Sequence, residues 1–189
     1  MKMNGNKLIK ASRQDVWDAL NDPEKLKLAI PGAEKVEKKD DNNLTATVKT
    51  KIGPISAKFN GKITLSNMNP PISYTLTGEG TGGAAGFAKG TANVELEEAQ
   101  EGTILKYTVD ANVGGKLAQI GQRLIDTTAN KLADDFFGKF NDILSTDKDE
   151  SEDKIEESIS NNKGISQISW ISILIILTSI SLLFWYSLS

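Results

Sequence analysis

Histidine and cysteine are both absent from the 189 residues, which removes the usual general base, the commonest metal ligand and the strongest nucleophile. Chemistry is left to carboxylates, lysines, tyrosines and a glycine-rich loop. The loop is GEGTGGAAGFAKG, in which Gly78, Gly80 and Gly83 spell G-x-G-x-x-G and Glu98 follows near the spacing of a ribose ligand. A dinucleotide fingerprint needs a helix directly after its glycines, because the helix N-terminus holds the pyrophosphate. Here Thr91 to Glu98 alternates as a strand, and Gly82, Gly83, Gly86 and Gly90 oppose a helix. The run is therefore read as a link between two strands. Asp134 and Asp135 are neighbours on a helical stretch, so their side chains diverge by about 100° and make no acid–base pair. Arg123 and Asp126 lie three apart and are spaced to pair on a helix surface. Tyr74 and Tyr107 are predicted to point inward, where each phenol can serve a ligand carbonyl or a backbone group. No catalytic set emerges, and binding is the expected activity.

The elements that position these residues follow from periodicity. Lys2 to Lys10 has room for one short strand. Ser12 with Asp15 is a capping-box variant that opens a helix through Val16, Trp17 and Leu20. Asp22-Pro23 opens a second, which stops before Pro31-Gly32. From Leu44 the pattern changes to period two. Leu44, Ala46, Val48, Thr50 and Ile52 share a face, as do Ile55, Ala57, Phe59, Gly61, Ile63 and Leu65. Ile72 to Gly78, Gly90 to Leu96 and Leu105 to Val113 continue the alternation. Short links at Gly53-Pro54, Asn69-Pro70-Pro71 and Glu101-Gly102 suit hairpins, so an antiparallel meander is expected with one wet and one covered face. After Gly114-Gly115, apolar residues from Leu117 to Leu144 recur three or four apart, which predicts one long amphipathic helix as the cover. The fold class is α+β, with two short helices, a curved antiparallel sheet and a long C-terminal helix.

The covered face carries an unusual number of small residues: Ala46, Ala57, Gly61, Gly78, Gly90, Ala92 and Ala111. Either the long helix packs very closely over a bent sheet whose glycines mark kinks, or a cavity lies beneath it. Residues 1–144 form the expected domain. Residues 145–163, STDKDESEDKIEESISNNK, hold seven acids and three lysines with few apolar residues and are read as a disordered acidic linker. Residues 164–189 contain no charge and are dominated by Ile, Leu, Trp, Phe and Ser. Such a run spans roughly 30 Å as a helix, and aromatic residues flank it, so a transmembrane tail anchor is expected. The start MKMNGNKLIK lacks the apolar stretch of an export signal, which places the domain on the cytoplasmic side of the cell membrane. The formal net charge of -3 leaves no basic patch of nucleic-acid-binding density.

The strings DVWDALNDPEKL, IPGAEKVE, GPISAKFNGKITL, GEGTGGAAGFAKGTANVEL and VGGKLAQIGQRLIDTTANKLADDFF, in this order of elements, resemble the G-subunit family of carbon monoxide dehydrogenase, a branch of the START-related, Bet v 1-like helix-grip superfamily. The resemblance covers residues 1–144 and implies a sheet wrapped around a long helix with an apolar cavity between them. It also implies a molybdenum hydroxylase of the carbon monoxide dehydrogenase type as partner, and some family members carry a C-terminal membrane segment. Electrons from such a hydroxylase must reach the membrane pool, and a quinone tail is costly to expose to water, at about 0.8 kcal/mol per CH₂. A quinone or other isoprenoid lipid is thus the expected bound molecule, with no other cofactor required. The candidate ligand-binding residues are Phe59, Gly61, Ile63, Tyr74, Phe87, Ala92, Tyr107, Leu117, Ile120, Gly121 and Leu124. The competing expectation is an adaptor or assembly factor that anchors the dehydrogenase at the membrane without a ligand.

Overall fold

The computed structural model describes the backbone of residues 1–160 and the side chains of residues 1–146. The chain divides into a unit Met1–Asp147 and a second one that begins at Lys148. The first unit starts with β1 (Lys2–Ile9), which leads through α1 (Arg13–Leu20) and α2 (Pro23–Ala29) to β2 (Ala33–Lys38). The meander β3 (Asn43–Ile52), β4 (Ile55–Asn69), β5 (Ser73–Thr81), β6 (Phe87–Ala99) and β7 (Gly102–Gly114) follows. All seven strands form one antiparallel sheet in the order β1-β7-β6-β5-β4-β3-β2. The two helices therefore carry the chain from one edge of the sheet to the other before the hairpins bring it back.

Local chemistry sets these boundaries. The Ser12 Oγ accepts the Asp15 amide at 3.1 Å and donates to the Asp15 carboxylate at 2.6 Å, so the N-terminus of α1 is capped from both directions. At α2, the Asp22 carboxylate accepts from the amides of Glu24 and Lys25 while Pro23 occupies the first turn. Strand β2 has no counterpart in the sequence reading. In AEKVEK only Val36 is buried, so its alternation is too short to register as a strand.

The packed core sits at one end of the sheet. Ile9, Val16, Leu96, Leu105, Phe140 and Leu144 are all at most 3% exposed; they join β1, α1, β6, β7 and the last helix. At about 1.5–3 kcal/mol for each large buried side chain, this cluster is the main anchor of the helix on the sheet. The buried Thr103 hydroxyl donates to the Ala11 carbonyl at 2.9 Å, locking the start of β7 to the β1–α1 corner.

The cover departs from a single uninterrupted helix. A four-residue α3 (Lys116–Gln119) precedes α4 (Gln122–Ser160), and Gly121 between them has φ +88°. Glycine takes that left-handed geometry without penalty and ends the first helical turn, so Leu117 and Ile120 do not lie on the long helix. Helix α4 continues to Ser160 and so overlaps the stretch 145–163 expected as a linker. No Gly or Pro interrupts 145–160, and Asp, Glu, Lys and Ser carry modest helix penalties compared with those breakers. The expected tail anchor at 164–189 lies outside the described residues. Among the described residues no helix is long and apolar enough to cross a membrane.

Candidate functional site

A cavity of about 240 Å³ lies between the sheet and the helices. Leu20, Leu26 and Ile30 from α1, α2 and the turn after them close one side, and Phe136 and Phe137 from α4 close another. Its floor is the covered face of the sheet. Cross-strand pairing puts Leu44 beside Ile63, Leu65 beside Leu76, and Tyr74 beside Val94, which is beside Tyr107. All of these line the cavity, together with Val36, Ala46 and Leu105. Apart from the two phenols, every lining side chain is hydrocarbon.

Aromatic rings organise the walls. Tyr107 stacks on Phe137 with centroids 5.4 Å apart, Phe137 meets Phe136 edge-on at 5.1 Å, and Phe136 stacks on Phe140 at 5.5 Å. On the other side, Trp17 meets Tyr74 edge-on at 5.5 Å. Tyr107 also lies over β1, where a Cβ placed on Gly5 would come within 2.6 Å of its hydroxyl. Neither tyrosine hydroxyl has a hydrogen-bond partner among the described residues. Burial pushes the Tyr74 phenol above its ordinary value, which keeps it protonated and able to donate at neutral pH. Next to this wall the Lys7 ammonium donates to the Asp134 carboxylate at 2.7 Å, joining β1 to α4. That hydrogen bond raises the Lys7 pKa.

Of the residues singled out from sequence, Ile63, Tyr74 and Tyr107 line this cavity. Ala92 is next to it on the covered face, paired with Leu76 and Val109. The remainder lie toward the opposite end of the sheet from the packed core, and Phe87 is corrected as a cavity residue: its pairing with Thr81 and Gly114 puts it on the other face of the sheet, beside Lys62, Glu79 and Lys89. A Cβ on Gly53 would meet Leu124 and Ile120, one on Gly82 would meet the Phe59 ring, and one on Gly114 would meet the Phe87 ring. Leu117 is buried at 2% exposure near this corner, whereas Phe87 is 47% and Leu124 39% exposed. Gly121 is the left-handed link and Gly61 is part of the floor. The three nearest atoms to a Cβ on Gly61 belong to the sheet, and the only atoms within 4 Å of one on Gly78 or Gly80 do too. The helix does not press on these glycines. Of the seven small residues of the covered face, Ala46 lines the cavity. By contrast, a Cβ on Gly90 would meet the Asp110 carbonyl at 2.5 Å, so this glycine serves close backbone approach.

Other sequence candidates resolve as structural contacts. Gly78 and Gly80 lie in β5 and Gly83 opens a one-turn 3-10 helix followed by β6, while Glu98 pairs with Arg13 at 3.0 Å. The glycine run has no helix of phosphate-binding length after it. Asp126 accepts from Gln122 at 2.6 Å instead of pairing with Arg123, and Asp135 pairs with Lys131 at 2.8 Å. Among the described residues no group of three acidic side chains is arranged to hold a metal ion. Phe136 and Phe137, and the lid residues Leu20, Leu26 and Ile30, are cavity walls that the sequence reading did not assign. Leu20 is an apolar helical position in the sequence, as Phe136 is in the Leu117–Leu144 spacing, but the distance of these walls from the floor is not legible there.

A curved antiparallel sheet gripping a C-terminal helix around an apolar hollow defines the helix-grip class, an architecture compatible with holding a hydrophobic ligand. Residues 5–145 match the family described as the G-subunit of carbon monoxide dehydrogenase (CoxG), and the chain belongs to that family. A conserved protein from Geobacillus kaustophilus is 32% identical, with TM-score 0.73, over 77% of this chain and 96% of that one. Protein Ms6760 from Mycobacterium smegmatis shares the fold at 18% identity and TM-score 0.58, over 77% and 91% of the two chains. The Zhui aromatase/cyclase from Streptomyces sp. R1128 does so at 9% identity and TM-score 0.56, over 77% and 93%. No curated protein matches the sequence.

Proposed function

We propose that this protein is a carrier, not an enzyme, which holds an apolar, carbonyl-bearing small molecule between sheet and helix, with a quinone as the best fit. On this reading residues 164–189 tether it to the cytoplasmic side of the cell membrane. The bound molecule then links a carbon monoxide dehydrogenase-type molybdenum hydroxylase to the membrane. The observation that carries the reading is the combination of a hydrocarbon-lined cavity with two unpartnered phenols in its wall. A ligand carbonyl would accept from such a donor, a hydrogen bond with a net value of about 1 kcal/mol. An apolar cavity of about 150 Å³ already binds benzene, so the 240 Å³ found here suits a substituted ring. A long isoprenoid tail exceeds that volume and has to leave over the open glycine floor at Gly61, Gly78 and Gly80. The family name supports the link to the dehydrogenase, since it describes one of that enzyme's subunits.

Trp17 provides the reporter, because it touches Tyr74 in the cavity wall. With Trp170 and Trp185 changed to Phe in the full chain, titration with a short-chain quinone is expected to quench Trp17 fluorescence saturably at a one-to-one ratio. Ala46→Phe fills the cavity and should abolish the saturable component while the circular dichroism spectrum is retained. Quenching that is linear in quinone and unaffected by Ala46→Phe would contradict the carrier reading and leave a ligand-free adaptor.

A further inference from the structure

The two ends of the sheet differ in chemistry. At one end lie the β2–β3, β4–β5 and β6–β7 turns, with Lys39, Asp40, Asp41 and Glu101 as their charges. At the other end lie the β3–β4 turn, the β5–β6 connection and the α3–α4 corner. Contacts tie these three together. Leu124 and Ile120 pack over Gly53, Phe87 packs over Gly114, and Gly86 touches Gly115. Across segments 51–56, 82–88 and 114–124 the only charged side chains are Lys51, Lys116 and Arg123. All three are exposed, and none has an ion-pair partner among the described residues. At this tip Phe87, on the sheet face it shares with Lys62, Glu79 and Lys89, and Leu124, on the helix side, stand 47% and 39% exposed.

From this we infer that the corner carrying Phe87, Leu124, Lys51, Lys116 and Arg123 is the face this domain lays against an anionic lipid surface. Apolar side chains on protruding connections enter the headgroup boundary, while long basic side chains keep their stems apolar and their charges at the phosphates. Each such cation near an anionic surface strengthens attachment about fivefold. Gly80, paired with Gly61, lies next to the β5–β6 connection at the same end of the sheet, so a ligand tail leaving the cavity along this floor would meet acyl chains there. The inference rests on the carrier reading for its purpose, although the surface can be tested without it.

The test uses the full chain bound to vesicles of phosphatidylcholine alone or of phosphatidylcholine with phosphatidylglycerol, followed by hydrogen–deuterium exchange. Because the tail is common to both preparations, the difference between lipids reports on the domain. Slower exchange in segments 51–56, 82–88 and 114–124 with the anionic vesicles only, reversed by about 0.5 M salt, is the expected result. Lys116→Glu with Arg123→Glu should remove it. Equal exchange in both lipids, protection confined to another surface such as α2, or protection that survives the double variant would overturn the inference. Organic extraction of the same preparations separates the two ideas. A bound isoprenoid accompanied by no lipid-dependent protection sinks this surface alone, and protection with a clean extract keeps the surface and sinks the carrier.

Discussion

At the residue scale, the proposed ligand carriage turns on Tyr74 and Tyr107. Their hydroxyls have no protein partner to lose, so Tyr74→Phe and Tyr107→Phe should leave thermal stability within about 0.5 kcal/mol of the parent. Each should weaken binding of a short-chain quinone about fivefold, the net value of one hydrogen bond, as read from the Trp17 titration. Unchanged affinity in both variants, or a large loss of stability, would show that the phenols serve the protein and not a carbonyl. Their inward direction was legible in the alternation of β5 and β7, because the side-chain period of a strand fixes its face. Their lack of a partner was not, since hydrogen bonding depends on what the other strands and α4 bring within about 3 Å.

At the scale of elements, the break between α3 and α4 decides how the cover sits. Gly121 has φ +88° with nothing within 4 Å of a Cβ, whereas Gly138 is exposed inside α4, also with open space around a Cβ and without a positive φ. Gly121→Ala should therefore destabilise the domain by about 1 kcal/mol through backbone strain alone, while Gly138→Ala should stabilise it by up to about 1 kcal/mol through helix propensity. Urea denaturation of the two variants measures both signs. Equal effects would mean that the corner is not held in the left-handed geometry. The same break explains which candidate residues the sequence misplaced. Apolar spacing from Leu117 to Leu144 reads as one continuous helix, and a continuous helix brings Leu117, Ile120 and Leu124 into line with Phe136. Once the chain turns at Gly121, those three pack at the open corner and the cavity wall falls to Phe136 and Phe137. Strand faces were readable because period two survives along a strand. The position of the helix along the floor was not, because one glycine resets it.

At the scale of the whole domain, the packed core at one end, the cavity in the middle and the open glycine floor toward the other form a gradient of filling. Large buried side chains such as Phe140 and Leu144 hold the helix down at one end, and the small residues Gly61, Gly78 and Gly80 leave space toward the other. The order of elements and the small residues of the covered face were legible in the sequence; where the filling changes along the sheet was not. The central claim is that the space is occupied in the cell. Organic extraction of the full chain, purified gently from its native cells and analysed by mass spectrometry, tests it most directly. The expected result is an isoprenoid quinone at close to one per chain, lost in Ala46→Phe; an extract of folded protein free of any quinone or other isoprenoid would contradict the claim.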